Sequence, residues 1–408
     1  MDRIVLAYSG GLDTSVAIAW LAETYRAEVV AVTLDVGQGR ELEDVRARAL
    51  AIGAVRAHVI DVREEFARDF VLPALQAGAL NDDRSPLATA LSRPLIARHL
   101  VEIARIEGAT AIAHGCTRAA PDYARLERSV RAIDPSIRVL APAHAVGLAR
   151  AAAIEYARER GLPMPPALES PYTTDVNVWG RSVEGGALED PWCEAPEEVF
   201  LLTRTPADAP DLPAYVEIAF ERGAPVSING IDMGMIELVQ CLETIAGAHG
   251  VGRLDVVEPR SAGKRSRKIY EAPAAVVLEA AHRELQRFVT PRELDRLTFE
   301  LAAKYADLII HGLWHSPMRA AIDTLVAQVQ ERVTGVVRLK FFKGDCRIAG
   351  RRSPHAHADP AASVSDAGDG IDQADGEALL KLWAPQVKTA ARKVRAAAKA
   401  PAVAGKKS

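Results

Sequence analysis

Residues 9–15 read Ser-Gly-Gly-Leu-Asp-Thr-Ser and lie between two apolar runs, within the stretch VLAYSGGLDTSVAIAWL (5–21). A strand that ends in adjacent glycines and opens a helix predicts an anion site. The glycines admit close backbone approach and positive φ, while the first N–H groups of the helix and its dipole favour negative charge. Ser9, Thr14 and Ser15 add hydroxyl donors. Two other phosphate loops do not fit, because GxxxxGKS/T is absent and GGLDTS lacks the GxGxxG spacing. The competing reading is a plain strand-to-helix turn capped by Asp13. Cys116, Cys193, Cys241 and Cys346 lie far apart with no CxxC pair, which argues against a zinc site or a disulfide framework and fits a reducing compartment.

The elements that must position this loop alternate in an α/β rhythm over residues 1–165. Strands are predicted at Ile4–Tyr8, Glu28–Asp35, Val55–Ile60, Ala109–Ala113 and Ile137–Leu140. Helices are predicted at Thr14–Thr24, Glu41–Ile52, 63–77, 94–107 (opening with Pro94), Ala124–Ile133 and Ala145–Arg160. Crossover helices between strands give a parallel, doubly wound sheet, whose ligands bind beyond the carboxyl ends of its strands. The loops at 9–13, 35–40 and 114–122 all leave those ends.

GLPMPPALESP (161–171) breaks the rhythm and marks a domain boundary. Residues 166–370 read as an α+β domain, with hairpins at 215–230 and 336–350 and helices at 235–249, 273–287, 291–306 and 317–332. Residues 353–370 read as a linker. Residues 371–408 read as a C-terminal arm with a basic helix at 376–400 and an apolar start at Leu379, Leu380, Leu382 and Trp383. The chain has 49% apolar and 25% charged residues and a net charge of −4, the balance of a soluble globular protein with no global pull towards nucleic acid. It has neither a leader-like start nor an uncharged apolar run of about 18 residues, so a cytoplasmic protein without a membrane partner is expected.

The stretch SGGLDTS resembles the pyrophosphate loop of the ATP-pyrophosphatase superfamily, whose enzymes cleave ATP between the α and β phosphates and adenylate a carbonyl oxygen. LAYSGGLDTS, VGQG, LSRPLIARHLVEIA, AHGCT, VWGRSVEGGALEDP, AGAHGVGRLDVVE, SRKIYEAP and GLWHSP follow in order with the spacing of argininosuccinate synthases, and GIDQADGEALLKLW near 370–383 is similar to that family's C-terminal arm. The resemblance implies an adenine nucleotide α-hydrolase-like domain, a synthetase domain and a homotetramer. It also implies that ATP adenylates the ureido oxygen of citrulline and that the aspartate amine then displaces AMP. ATP, with Mg2+ as its counter-ion, would lie on Ala7, Tyr8, Ser9, Gly10, Gly11, Asp13, Thr14 and Ser15, with Leu34 beside the adenine and His114 and Gly115 over the nucleotide. Asp13 and Asp122 would be catalytic. Thr117 and Asp122 would face aspartate, and Arg125, Thr173, Ser182, Glu258 and Tyr270 would face citrulline.

Taken singly, several of these residues have plainer readings. His114 could be a core histidine, Arg125 and Glu127 a solvated helix face, Glu258 a strand end, and GKRSRK (263–268) a basic loop. The amino-acid side also departs from the family pattern. GCTRAAPDYARLE stands where the family has G-x-T-G-K-G-N-D-Q-V-R-F-E, so Arg118, Ala119, Ala120, Pro121 and Tyr123 are substitutions. Proline supplies neither a side-chain amide nor a backbone N–H in place of the asparagine. Ser85 replaces a substrate-contacting tyrosine, and Pro259, Lys264, Arg265 and Lys268 alter the E-N/D-R-x-x-G-x-K-S-R-G/E stretch. The sequence therefore leaves open an ordinary synthase, a paralogous ligase with a different acceptor, and a non-catalytic nucleotide-binding homologue.

Overall fold

The computed structural model describes residues 2–39, 42–117, 120–142, 150–163, 170–259 and 265–356. Residues 1–357 cluster as one unit and 358–408 as a second. The expected arm at 371–408, its helix at 376–400, most of the linker and the start of the 145–160 helix lie outside the described residues.

The first sheet is parallel and five-stranded, in the order β3-β2-β1-β4-β5: β1 is Arg3–Ala7, β2 Glu28–Asp35, β3 Arg56–Asp61, β4 Ala111–His114 and β5 Arg138–Leu140. Its central strands β2, β1 and β4 are buried on both faces, whereas the edge strands β3 and β5 are partly exposed. Val5, Val30, Val32 and Ile112 join the core shared with the rest of the unit, whereas Ile4, Leu6, Val29 and Ala111 pack beneath α1 (Leu12–Tyr25) and α2 (Leu42–Ile52). Side chains alternate between faces, so near-continuous Val/Ile/Ala runs are what a doubly covered sheet requires.

Two helix starts differ from expectation. The segment at 63–77 is one continuous helical run, with α3 at Arg63–Phe66, a π-type widening over Ala67–Val71 and α4 at Leu72–Gln76. By contrast α5 runs Ala88–Glu107, so Pro94 lies inside the helix rather than at its first position. Pro94 removes one backbone hydrogen bond. The run Ala88–Ser92, buried at every position, outweighs that loss through packing. In α6 the reverse holds: it spans Pro121–Ile133, three residues earlier than predicted, and opens on Pro121, where a missing N–H costs nothing.

Helix α7 (Arg150–Glu159) ends the first half. The expected α+β region then supplies a four-stranded antiparallel sheet in the order β11-β12-β7-β6, with β6 Tyr172–Asn177, β7 Gly180–Gly185, β11 Arg253–Pro259 and β12 Arg265–Glu271. A second sheet, β10-β9-β8-β13-β14, contains both anticipated hairpins: β8 Ala214–Glu221 with β9 Ala224–Ile228, and β13 Gly335–Phe342 with β14 Asp345–Arg352. Strand β10 is the short Ile231–Asp232. Helices α8 (Met235–Ala248), α9 (Pro273–Val289), α10 (Arg292–Ile310) and α11 (Pro317–Gln330) complete the unit.

Three contacts tie the four-stranded sheet to its surroundings. Val178 at the β6–β7 turn donates its N–H to the Val36 carbonyl at 2.8 Å, and Asn177 Nδ2 donates to the Ala88 carbonyl at 2.8 Å. At the same end of the sheet, where β12 pairs with β7 just after that turn, buried Glu271 accepts bonds from Arg181 and from the N–H groups of Leu201, Leu202 and Thr203, all between 2.8 and 3.0 Å.

Gly312, after α10, has φ +68, and a Cβ built there would come within 2.6 Å of Arg125 Cα in α6. Gly312→Ala combines left-handed strain with a backbone clash, and is expected to lower unfolding free energy by roughly 2–4 kcal/mol. Urea unfolding checks this; an unchanged midpoint would show that α6 and the Gly312 turn are not in enforced contact.

Candidate active site

In the order β3-β2-β1-β4-β5 the chain leaves β1 in opposite directions on its two sides, so a crevice opens between the ends of β1 and β4. Ala7 ends β1, and Tyr8, Ser9, Gly10 and Gly11 form the turn. Gly10 adopts φ +72 and its carbonyl accepts Arg48 Nη1 at 2.9 Å. Hydroxyl pairs Tyr8–Ser15 (3.1 Å) and Ser9–Thr14 (3.2 Å) brace the turn across the helix start. The N-cap of α1 is Gly11, with no side-chain cap. Asp13 therefore does not cap the helix, as one reading of the sequence had it; it sits in the first turn as that turn's acidic residue. An uncapped, glycine-entered helix start fits a phosphate ligand, which takes the place of the cap.

His114 ends β4, and the next residue, Gly115, passes so close that a Cβ there would meet Thr14 Cγ2 at 2.7 Å. The two strand-end loops thus touch. Leu34, near the end of β2, is buried. His114 is buried as well; its Nδ1 accepts the Cys116 N–H at 3.2 Å, and its Nε2 has no partner among the described residues. Burial pushes its pKa down to about 4, so near neutrality the ring is neutral with the proton on Nε2. Burial also pushes the Cys116 thiol up to about 12, which leaves it a weak nucleophile.

The amino-acid positions come together on one face of the four-stranded sheet. Register pairs Tyr270 with Ser182, and Ser182 with Asp175, and pairs Thr173 with Glu184 and Glu258 with Ser266. Because directly paired residues share a face and alternation repeats every second residue, Thr173, Asp175, Ser182, Glu184, Ser266, Lys268, Tyr270 and Glu258 all lie on the same side. Thr173 is exposed, whereas Ser182 and Tyr270 are buried. Tyr270 Oη donates to Glu258 Oε1 at 2.7 Å, and burial beside that carboxylate raises the phenol above its usual range.

Asp122 and Arg125 stand on the first turns of α6. Asp122 Oδ1 accepts Arg125 Nη1 at 2.7 Å and its Oδ2 accepts Arg93 Nη2 at 2.9 Å; Arg93, on α5, also pairs with Asp175. Desolvation acts to raise the Asp122 pKa, but the two guanidinium groups prevail and hold it well below the usual carboxylate range. Arg125 Nε donates to the Ile310 carbonyl at 2.8 Å, which fixes α6 against the end of α10. Neither Arg125 nor Glu127 is a solvated helix face: Arg125 is bonded on two sides, and Glu127 accepts Tyr123 Oη at 2.8 Å. Thr117 is exposed in the loop after β4, and Arg118 and Ala119 lie outside the described residues.

Several neighbours were not singled out as site residues from the sequence. Arg93, Asp175 and Asn81 each bond to a predicted site residue or its partner. The signal for Asp175 and Lys268 was present: YTTDVN and RSRKIYE place polar side chains at every second position, a strand with a polar face. Accordingly residues 265–268 of GKRSRK lie on β12 and are not a loop. Ser85, which stands where the family has a tyrosine, is buried and donates to Glu258 Oε1 at 3.3 Å. Among the described residues no group of three or more His, Cys, Asp or Glu is placed to hold a metal ion, and no helix is long and apolar enough to cross a membrane.

Residues 3–163 match the family model described as the arginosuccinate synthase N-terminal HUP domain, and residues 172–390 match the arginosuccinate synthase C-terminal domain. Over 382 residues the chain is 49% identical to the argininosuccinate synthase of Symbiobacterium thermophilum, covering 93% of this chain and 95% of that one. It is 46% identical to the enzyme of that name from Oceanobacillus iheyensis (94% and 92% covered) and 48% identical to that from Gloeobacter violaceus (93% and 96%).

Asp122→Asn leaves two buried guanidinium groups facing a neutral amide, which is expected to cost about 3–5 kcal/mol of unfolding free energy at pH 7. Because the folded pKa of Asp122 is depressed, the native carboxylate contributes fully above its unfolded value of about 4 and loses that contribution as pH falls below it. Urea titrations at pH 7 and pH 3 should therefore show a gap between native and variant that narrows in acid. A gap of equal size at both pH values would mean that the charge of Asp122 is not what holds this cluster.

Proposed function

The chain belongs to the argininosuccinate synthase family, and we propose that it is an ATP-dependent, AMP-forming ligase that joins a ureido acceptor (citrulline in the simplest case) to aspartate. The observation that carries this reading is the juxtaposition of an uncapped glycine turn at the β1/β4 crevice with a polar sheet face and an ionised Asp122.

In this reading the first-turn N–H groups of α1 and the hydroxyls of Ser9, Thr14 and Ser15 hold the phosphates of ATP, with Mg2+ as their counter-ion. The adenine lies by Leu34, and His114 offers a neutral Nε2–H donor above the nucleotide. Asp13, in the same first turn, serves the reacting phosphate. The ureido oxygen attacks the α-phosphorus and pyrophosphate leaves. The aspartate amine then attacks the ureido carbon, AMP departs with the electron pair of the C–O bond, and the amine sheds a proton. Asp122 suits the attacking amine because its two arginine partners keep it a carboxylate at any working pH. Thr117 completes the aspartate side, and Arg125, Thr173, Ser182, Glu258 and Tyr270 form the acceptor side.

The same reading assigns residues 1–165 to ATP, 166–370 to the amino acids and 371–408 to assembly, in a cytoplasmic homotetramer. The apolar side chains of Trp192, Leu201, Leu212 and Ile231, 62–95% exposed on residues 1–357, support burial against other copies. Removing 371–408 should lower the mass measured by light scattering; an unchanged mass would sink the role given to that segment.

A pyrophosphate-release assay across a panel of amino acids, with and without aspartate, tests the activity. Release that requires ATP, aspartate and a ureido acceptor together is the expected result. Gly11 has φ −80 and only Ser9 Oγ within 3.4 Å of a built Cβ, so Gly11→Val should fold normally. Its branched side chain would block the approach of phosphate, and pyrophosphate release should fall at least a hundredfold, about 2.7 kcal/mol of transition-state binding. Full activity in that variant would remove ATP from this turn.

A further inference from the structure

We propose that Lys268 occupies the place where an acceptor's α-ammonium would pair with Glu258 and Glu184, so that the acceptor is a ureido carboxylic acid whose α-nitrogen is acylated or absent. This rests on the ligase reading above and deepens it to the class of acceptor.

Glu258 is already engaged. Its Oε1 accepts Tyr270 Oη at 2.7 Å, Asn81 Nδ2 at 3.1 Å and Ser85 Oγ at 3.3 Å. A carboxylate oxygen offers about two lone-pair positions, so three donors leave none for a ligand. Its Oε2 faces Lys268 Nζ at 3.7 Å. The same Nζ lies 3.9 Å from Glu184 Oε2, which in turn accepts Ser266 Oγ at 3.4 Å. The β11–β12 and β12–β7 registers put Lys268 on the face shared by these two carboxylates. Its side chain is 18% exposed, so the charge is held in the cleft rather than spread into solvent.

A ligand ammonium placed beside Glu258 and Glu184 would stand within about 4 Å of Nζ, and like charges at that distance repel strongly in a partly buried site. At 3.7 and 3.9 Å the lysine forms ion pairs without hydrogen bonds to either carboxylate. Its three N–H donors can therefore turn to an amide carbonyl or a carboxylate oxygen of the ligand. An N-acyl or deaminated acceptor satisfies them without bringing a second cation, whereas a free amino acid brings its ammonium along with its carboxylate.

The experiment measures kcat/KM for pyrophosphate release at saturating ATP and aspartate, with citrulline, N-acetylcitrulline and 5-ureidopentanoate. The native chain should favour at least one of the last two over citrulline by tenfold or more, chiefly through KM. Lys268→Glu should move the preference at least tenfold towards citrulline, and Lys268→Met, which keeps the stem without the charge, should move it part of the way. A native preference for citrulline over both analogues overturns the inference while leaving the ligase reading intact, and so does a ratio unmoved in both variants. No release with any of the three sinks the ligase reading itself, and this inference with it. The native comparison stands alone if a variant fails to fold.

Discussion

The site is built around one carboxylate shared between two guanidinium groups. Asp122 sits at the start of α6, and its partners come from opposite directions: Arg125 from the next turn of the same helix, Arg93 from α5. Through Arg93 the pair extends to Asp175 on β6, and through Arg125 to the carbonyl that closes α10. Four elements far apart in sequence are thereby held to one charge. A buried ion pair of this kind adds little net stability over apolar packing, but it punishes any arrangement that separates the partners. The cluster therefore fixes the position of α6 relative to α5, β6 and α10.

Close approaches explain Gly37 and Gly312 better than flexibility does. Gly37 lies against Val178, and a Cβ there would meet Val178 Cγ1 at 2.4 Å; Gly312 lies against the backbone of Arg125. Each is a place where two segments touch with no room for a side chain, and both have positive φ. The turn after β2 is also pinned by its own side chains, since Gln38 accepts the Val36 N–H and donates to the Leu34 carbonyl, both at 2.8 Å. The β6–β7 hairpin docks on this turn, so the polar sheet face and the nucleotide strands share one rigid reference.

The parallel sheet was legible because its central strands β1, β2 and β4 are buried on both sides, and burial writes itself as Val/Ile/Ala runs. The nucleotide turn was legible because few residue types satisfy its backbone. The four-stranded sheet was not, for a physical reason: its strands carry Thr173, Asp175, Ser182, Lys268 and Tyr270 where an ordinary sheet would carry apolar groups. That polar face masks the hydrophobic half of the alternation, leaving only the polar periodicity of YTTDVN and RSRKIYE to mark the strands. Pro94 misled in the opposite way. It reads as a helix start, yet five buried residues before it keep α5 helical. Arg93 could not be found at all without the fold, because its value lies in reaching Asp122, 29 residues away, and Asp175, 82 away.

The distribution of substitutions follows from how each half of the site is braced. The nucleotide turn is closed by bonds of its own, Tyr8 to Ser15, Ser9 to Thr14 and Arg48 to the Gly10 carbonyl, and Gly115 fills the space beside it. A change there disturbs a turn whose hydroxyls and backbone are fixed by one another. Around Glu258 the bracing comes from side chains of a turn at 81–85, in which Asp82 and Asp83 both take positive φ. A short, buried Ser85 closes that turn onto the carboxylate, where a larger side chain would have to project into the cleft. Both halves are braced through side chains; the first differs in closing over Gly10, whose positive φ and bonded carbonyl tie those side chains to one backbone conformation. The glycine turn therefore admits fewer side chains than the surroundings of Glu258, where one side chain can be exchanged without altering a positive-φ glycine.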